Sequence, residues 1–245
     1  MIHYHGAPCS GPADQVGRFY AGRHAMVSFA WPDQLPIIAD VAQSFVLDNG
    51  AFSAWKSGKP LDVKAYRAWI DEWQYHPGFA WCLIPDVIDG SEQDNDVMIY
   101  EWQNAIECYH AVPFWHLHES LSRLRRLTRS HRTVALGSSG QWSQPGKEAW
   151  WDRMKEIMPE ICDDAGRPRC KLHGLRMLNP EIFTRLPFAS ADSTNAPQNA
   201  GASSRFGMYA PSLAFQRANV IADRIESFNS AAAWCPTETQ MELFA

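Results

Sequence analysis

Four stretches of this chain share one layout, in which a short apolar run ends in a polar residue able to do chemistry. They are Phe45-Val46-Leu47-Asp48-Asn49-Gly50, Cys82-Leu83-Ile84-Pro85-Asp86, Phe114-Trp115-His116-Leu117-His118 and Phe188-Ala189-Ser190-Ala191-Asp192-Ser193-Thr194. A carboxylate is costly to bury, so an aspartate closing a buried run is expected to open into a polar pocket. Asp48 is followed by small residues that let the backbone turn sharply beneath a ligand, although Asp before Asn-Gly is also an ordinary turn former. Asp86 stands at a run's end and is the better pocket candidate, whereas Asp89 before Gly90 reads as a turn or cap residue. Asp192 has small neighbours that leave room for a bulky group, and a helix N-cap is its competing reading. The turn Gly137-Ser138-Ser139-Gly140 could present backbone N–H groups to a carbonyl or phosphate oxygen.

Histidines and basic residues add three further constellations. His116 and His118 are two apart and share one face of a strand, and His3 and His5 repeat the pattern. His-x-His on a first strand with Asp192 on the last is the layout of metal-dependent amidohydrolases, so a metal site at His3, His5 and Asp192 is the rival reading. Against it, the fourth strand supplies no bridging Lys, the sixth supplies no His, and His3 and His5 sit at the extreme N-terminus. Cys162, Cys170 and His173 are spaced by seven and then two residues, which fits no common zinc pattern, so neither metal nor cofactor is expected. Arg123, Arg125, Arg126, Arg129, His131 and Arg132 form a basic cluster. It reads as the solvated face of an outer helix, or as a nucleic-acid backbone contact through Arg125, Arg126 and Arg129.

The elements that would position these residues alternate. Strands are expected at 2–5, 26–29, 44–47, 79–84, 112–117, 133–136, 170–175 and 188–191. Helices are expected at 32–42, 62–76, 92–109, 120–130, 147–162, 180–186 and 211–228. Continuous apolar runs suit parallel strands covered on both faces. Eight of them alternating with helices predict an α/β fold, a single (β/α)8 TIM-like barrel over 1–229, with the polar strand ends around its C-terminal mouth. An open doubly wound sheet is the competitor. Residues 195–209 read as a flexible loop and 230–245 as a poorly packed tail.

Composition sets outer bounds. With 245 residues, 46% of them apolar, the chain can bury a sizeable core. A net charge of −5 argues against a surface wholly given to nucleic acid, while a local basic face remains compatible. Eleven Trp is a high count, with some rings expected in the core between helices and barrel and one or two able to stack on bases. The six Cys, at 9, 82, 108, 162, 170 and 235, lack the density of a disulfide scaffold. No leader and no apolar stretch of membrane-spanning length is visible, so a cytoplasmic location with no membrane partner is expected.

Read together, the strand ends resemble the tRNA-guanine transglycosylase superfamily, most closely its short, phage-associated DNA 7-deazaguanine transglycosylases. Asp48-Asn49-Gly50-Ala51-Phe52 is similar to the family's Asp-Ser-Gly-Gly-Phe. Ile84-Pro85-Asp86, His116, Leu136-Gly137-Ser138-Ser139-Gly140 and Asp192 follow in the matching order, across residues 44–200. The resemblance implies exchange of guanine in a nucleic acid for a free 7-deazaguanine base. Asp192 would be the nucleophile at C1′ and Asp48 the acid–base group. Asp86 would bind the N1/N2 edge of the base, the 137–140 turn its O6, and Phe52 its ring. The sequence departs from the family in four ways, the first being that it is much shorter than the tRNA enzymes. The Cys-x-Cys-x-x-Cys zinc signature is missing, His116 replaces a Gln, and the basic residues after the strand-eight Asp are replaced by Asn195-Ala196-Pro197-Gln198-Asn199. These departures favour DNA over tRNA as the partner. A base-binding module without turnover is a further alternative.

Overall fold

A computed structural model describes residues 1–105, 110–201 and 203–236. Cys108, the end of the helix expected over 92–109 and the last nine residues of the expected tail lie outside them. The strands are β1 (Ile2–Gly6), β2 (His24–Ser28), β3 (Ser44–Asp48), β4 (Phe79–Leu83), β5 (Ala111–Val112), β6 (Phe114–His116), β7 (Thr133–Gly137), β8 (Lys171–Gly174) and β9 (Ser190–Ser193). They form one nine-stranded parallel sheet in the order β5-β4-β3-β2-β1-β9-β8-β7-β6. The two ends of that order, β5 and β6, flank a single residue, Pro113, so the sheet is barrel-shaped and nearly closed. Proline has no N–H for the ladder. The chain pairs leftward before it (Ile84 N–H to Val112 O, 2.9 Å) and rightward at it (Ala135 N–H to Pro113 O, 3.0 Å).

The helices are α1 (Ala13–Tyr20), α2 (Leu35–Val41), α3 (Ala51–Lys56), α4 (Val63–Trp73), α5 (Glu92–Ala105), α6 (Leu121–Ser130), α7 (Glu148–Ile161), α8 (Pro180–Phe183), α9 (Asn195–Asn199) and α10 (Ala214–Glu226). Several start where a side chain satisfies an otherwise unpaired N–H. Asp62 accepts from Ala65 N–H at the head of α4, and Ser120 from Arg123 N–H at the head of α6. Three helices, α1, α3 and α9, lie where the sequence predicts none. α1 follows a Gly-Pro segment, and α3 begins directly at Asn49-Gly50, which reads as a turn. The expected flexible loop at 195–209 instead contains α9, with Ala196 and Pro197 buried, and a 3-10 segment, Ser203–Tyr209. Within the expected tail, Trp234 packs against the core and its backbone N–H donates to Gly166 O.

Alternation along each strand separates two cores. Outward residues such as Phe45, Leu47, Val134, Leu136 and Ala191 pack beneath the helices. Inward residues Tyr4, Met26, Val46, Leu83, Val112, Ala135 and Leu175 meet Trp81 and Phe114 in a plug at the barrel centre. Asp48 follows Val46 by two positions, His116 follows Phe114 and Gly137 follows Ala135, so the barrel face continues into them. Among the described residues no helix is long and apolar enough to cross a membrane.

Candidate active site

Asp48, Phe52, Asp86, His116, Gly137, Ser138, Ser139, Gly140 and Asp192 all line one cavity of about 1000 Å³, at the C-terminal ends of the strands. The chain thus gathers on one surface residues spread over 145 positions, as the mouth of a parallel barrel does.

Asp48 is the electrostatic centre. A solvent molecule can still reach it through the mouth, yet it lies deep among protein atoms, and its pKa is pushed up to about 6. Burial is the main cause, and the charges of Asp192 and Asp86 add to it, against hydrogen bonds from Ser28 and the Gly50 N–H. Gly50 is required there. Its φ is +72°, and a Cβ would come within 3.0 Å of Ala30 N.

Asp86 is buried and held on one side only. Asn49 Nδ2 donates to its Oδ1 (3.0 Å) and to Ile84 O (2.9 Å), while Asn49 Oδ1 accepts from Ala51 N–H at the start of α3. His116 Nε2 lies 3.0 Å from Asp86 Oδ2, an ion pair when the imidazole is protonated. Both atoms are buried beside the cavity, and apart from this close approach neither has a hydrogen-bond partner among the described residues. Such groups carry a desolvation cost that a ligand could relieve. The His116 ring is stacked between Phe114 (4.4 Å) and His118 (5.4 Å), so it cannot swing away. The backbone N–H of His116 donates to buried Glu119, which pairs with Arg123 at 2.6 Å.

Asp192 lies in β9 in register with Tyr4 of β1, on the barrel's inner side. Its Oδ1 accepts the Arg176 N–H (2.9 Å) and lies 3.3 Å from Nε2 of fully buried His173. Its Oδ2 takes no hydrogen bond from the described residues. The turn after β7 offers its backbone. The N–H groups of Ser138 and Ser139 bond to no described residue, while the two hydroxyls are engaged by Trp150 Nε1–H and His118 Nδ1. Gly137 has no room for a side chain, because a Cβ would overlap the Phe114 ring. Gly137→Ala is expected to displace Phe114, loosen the stack under His116 and cost about 1–3 kcal/mol, readable as a lowered denaturation midpoint. An unchanged midpoint would show that the ring has room to move.

Two functional candidates, Arg176 and Asn49, are not singled out by the sequence. Arg176 holds φ +57°, a left-handed conformation that costs a non-glycine residue about 1 kcal/mol or more. That strain aims its N–H at Asp192 and lays its guanidinium 5.2 Å above the Phe52 ring. Nothing in Leu175-Arg176-Met177 signals this. Asn49 stands in a turn motif, and His173, weighed by spacing only as a zinc ligand, lies beside Asp192 instead. At the rim, Trp31, Phe52 and Trp55 are 60%, 48% and 46% exposed, a set of aromatic faces open to solvent.

The rival metal site is not assembled. His3 and His5 lie on the outer side of β1, where His3 meets Phe228 O and Phe183, and His5 pairs with Glu226 at 2.8 Å. Alternation sends them away from Asp192. Cys162 and Cys170 have thiols pushed up to about 11 by burial, and His173 faces Tyr4, Trp81 and Asp192 inside the barrel. The basic cluster is also redrawn. Arg123 is fully buried, with its guanidinium on Glu119, Asp96 and Phe114 O. Arg125 faces Glu160 and Arg126 faces Asp96. Neither lines the mouth cavity, and Arg129 borders a different cavity. Compared with protein families, curated proteins and solved structures, the chain matches none.

Proposed function

We propose that this protein is a transglycosylase that exchanges guanine in DNA for a free 7-deazaguanine base through a covalent intermediate on Asp192. The observation that carries the reading is the convergence of Asp48, Asp86 and Asp192 on one cavity in three different states of engagement. One carboxyl is pushed up to about 6, one is buried with an oxygen facing the cavity, and one is oriented by a backbone N–H with its second oxygen available. Environments that separate neighbouring carboxylates in this way assign them acid and nucleophile roles.

In this mechanism Asp192 Oδ2 attacks C1′ while the C1′–N9 bond breaks. The electron pair leaves with guanine, which takes a proton from Asp48. The incoming base then gives its N9 proton to Asp48, and N9 attacks C1′ and expels Asp192. Two inversions retain configuration. Asp86 Oδ2 accepts from the N1/N2 edge of the base, the Ser138 and Ser139 N–H groups donate to O6, and Phe52 covers the ring. Counting β5 and β6 as one strand interrupted at Pro113 makes the scaffold a (β/α)8 barrel, the architecture that places such residues at its mouth. DNA is preferred to tRNA because the segment after Asp192, Asn195 to Asn199, carries no basic side chain. No metal takes part in the displacement.

Incubation with guanine-containing DNA or tRNA and 7-cyano-7-deazaguanine, followed by nucleoside mass analysis, tests the activity. The modified deoxynucleoside is the expected product, and its absence from both nucleic acids would overturn the assignment. The first half-reaction also has an expected pH dependence. Asp48 must carry its proton to protonate the leaving base, and it loses that proton as pH rises through about 6. Single-turnover release of labelled guanine should slow about tenfold per pH unit above that point. A flat profile would remove Asp48 from the acid role.

A further inference from the structure

The N-terminal ends of the strands border a second cavity, of about 1430 Å³, whose wall includes Trp81, Thr133, Lys171 and Ala189. The central plug of Tyr4, Val46, Leu83 and their neighbours stands between it and the mouth. Its fixed charges are all positive. Arg129 comes from the end of α6, Arg132 from the turn before β7, and Arg169 and Lys171 from the approach to β8. Among the described residues no Asp or Glu lines it. In a chain of net charge −5 such segregation is not a matter of composition.

The way the protein treats its other arginines sharpens the contrast. Arg18, Arg23, Arg123, Arg125, Arg126, Arg153 and Arg167 face carboxylates. Arg67, Arg176 and Arg185 lie over rings, and Arg217 donates to backbone carbonyls. Among the arginines whose side chains are described, only Arg129, Arg132, Arg169 and Arg224 have none of these partners, and three of the four converge on this cavity. Like charges gathered around a concave, low-dielectric wall repel one another and focus a positive potential that an anion would relieve.

We propose that this basal cavity is a binding site for a ligand carrying two or more phosphate groups. Guanidinium forks suit phosphate oxygens, and four cations around one space match several phosphates better than one. The ligand is either a free polyphosphate or a phosphodiester strand. The site lies opposite Asp192, so occupancy anchors or regulates the protein and does not feed the reaction, and the proposal stands whether or not base exchange is found.

Calorimetric titration with inorganic tripolyphosphate, and anisotropy titration with a labelled single-stranded oligonucleotide, test it on the full chain. At least one probe should bind. Arg132→Ala with Arg169→Ala should weaken it by about tenfold or more per lost charged contact. For the oligonucleotide the salt slope should flatten by about 0.7 per contact. Arg125→Ala with Arg126→Ala, which removes cations already facing carboxylates, should leave binding unchanged. Tripolyphosphate binding identifies a free polyphosphate, and oligonucleotide binding alone identifies a strand. The four side chains are exposed, so the variants should keep the wild-type circular dichroism. A folded variant that binds as wild type, or failure of both probes to bind, would overturn the proposal.

Discussion

Replacing Asp192 with Ala is expected to abolish base exchange and to leave the fold in place. In the proposed reaction Asp192 supplies the atom that bonds to C1′, and no neighbour can substitute for it. His173 is fully buried behind it, and the Arg176 N–H only orients it. Loss of a covalent nucleophile costs at least about 10³-fold. Stability should change little. One hydrogen bond to Arg176 N–H is lost, worth about 1 kcal/mol, and a charge that disfavours ionised Asp48 is removed. Asp192→Asn separates nucleophile from positioning, because the amide oxygen can still accept from Arg176 but cannot displace the base. Both variants should fail to incorporate labelled guanine while melting cooperatively. Substantial incorporation by either would take Asp192 out of the nucleophile role.

Asp48→Asn should lower exchange by about 10²–10⁴-fold, the range for a positioned acid or base, and should stabilise the protein at the same time. The folded pKa of about 6 lies above the ordinary 3.8, so between those values the folded chain holds a proton that the unfolded chain has released. Wild-type stability therefore falls as pH rises from about 4 to 6 and is flat above. Asparagine carries no such penalty. The variant should be about 1–3 kcal/mol more stable at pH 7, the upper figure being the full shift and the lower allowing for solvent at the mouth. That advantage should vanish as pH falls below about 4. A pH-independent stability difference, or wild-type exchange, would reduce Asp48 to a turn residue.

The parts of this arrangement legible in the sequence were those written as periodicity. Inward residues stand at or next to the strand ends, so the runs before Asp48, His116, Gly137 and Asp192 announce both the strands and the polar mouth. The parts that were not legible depend on tertiary geometry. Pro113 divides the expected fifth strand because its missing N–H interrupts the ladder. Arg123 looked like one more surface cation, because its burial depends on Glu119 and Asp96 closing around it. His3 and His5 shared a face, as expected, but the register of β1 against β9 turns that face toward α10. Arg176 occupies a backbone conformation that its residue type disfavours, so propensity argued against the role that geometry assigns it. Asn49 and α3 lay behind an Asn-Gly pair that reads as a turn.

The central claim is a covalent bond between Asp192 and the sugar of the target nucleotide. Intact-mass analysis of protein mixed with guanine-containing DNA, quenched by acid before the second base is added, measures it directly. The expected result is a protein–DNA adduct lacking one guanine. It should be absent from Asp192→Ala, map by peptide digestion to β9, and be released when 7-cyano-7-deazaguanine is supplied before the quench. Incorporation of 7-cyano-7-deazaguanine into DNA with no adduct at any time, or an adduct that persists in Asp192→Ala, would contradict the account.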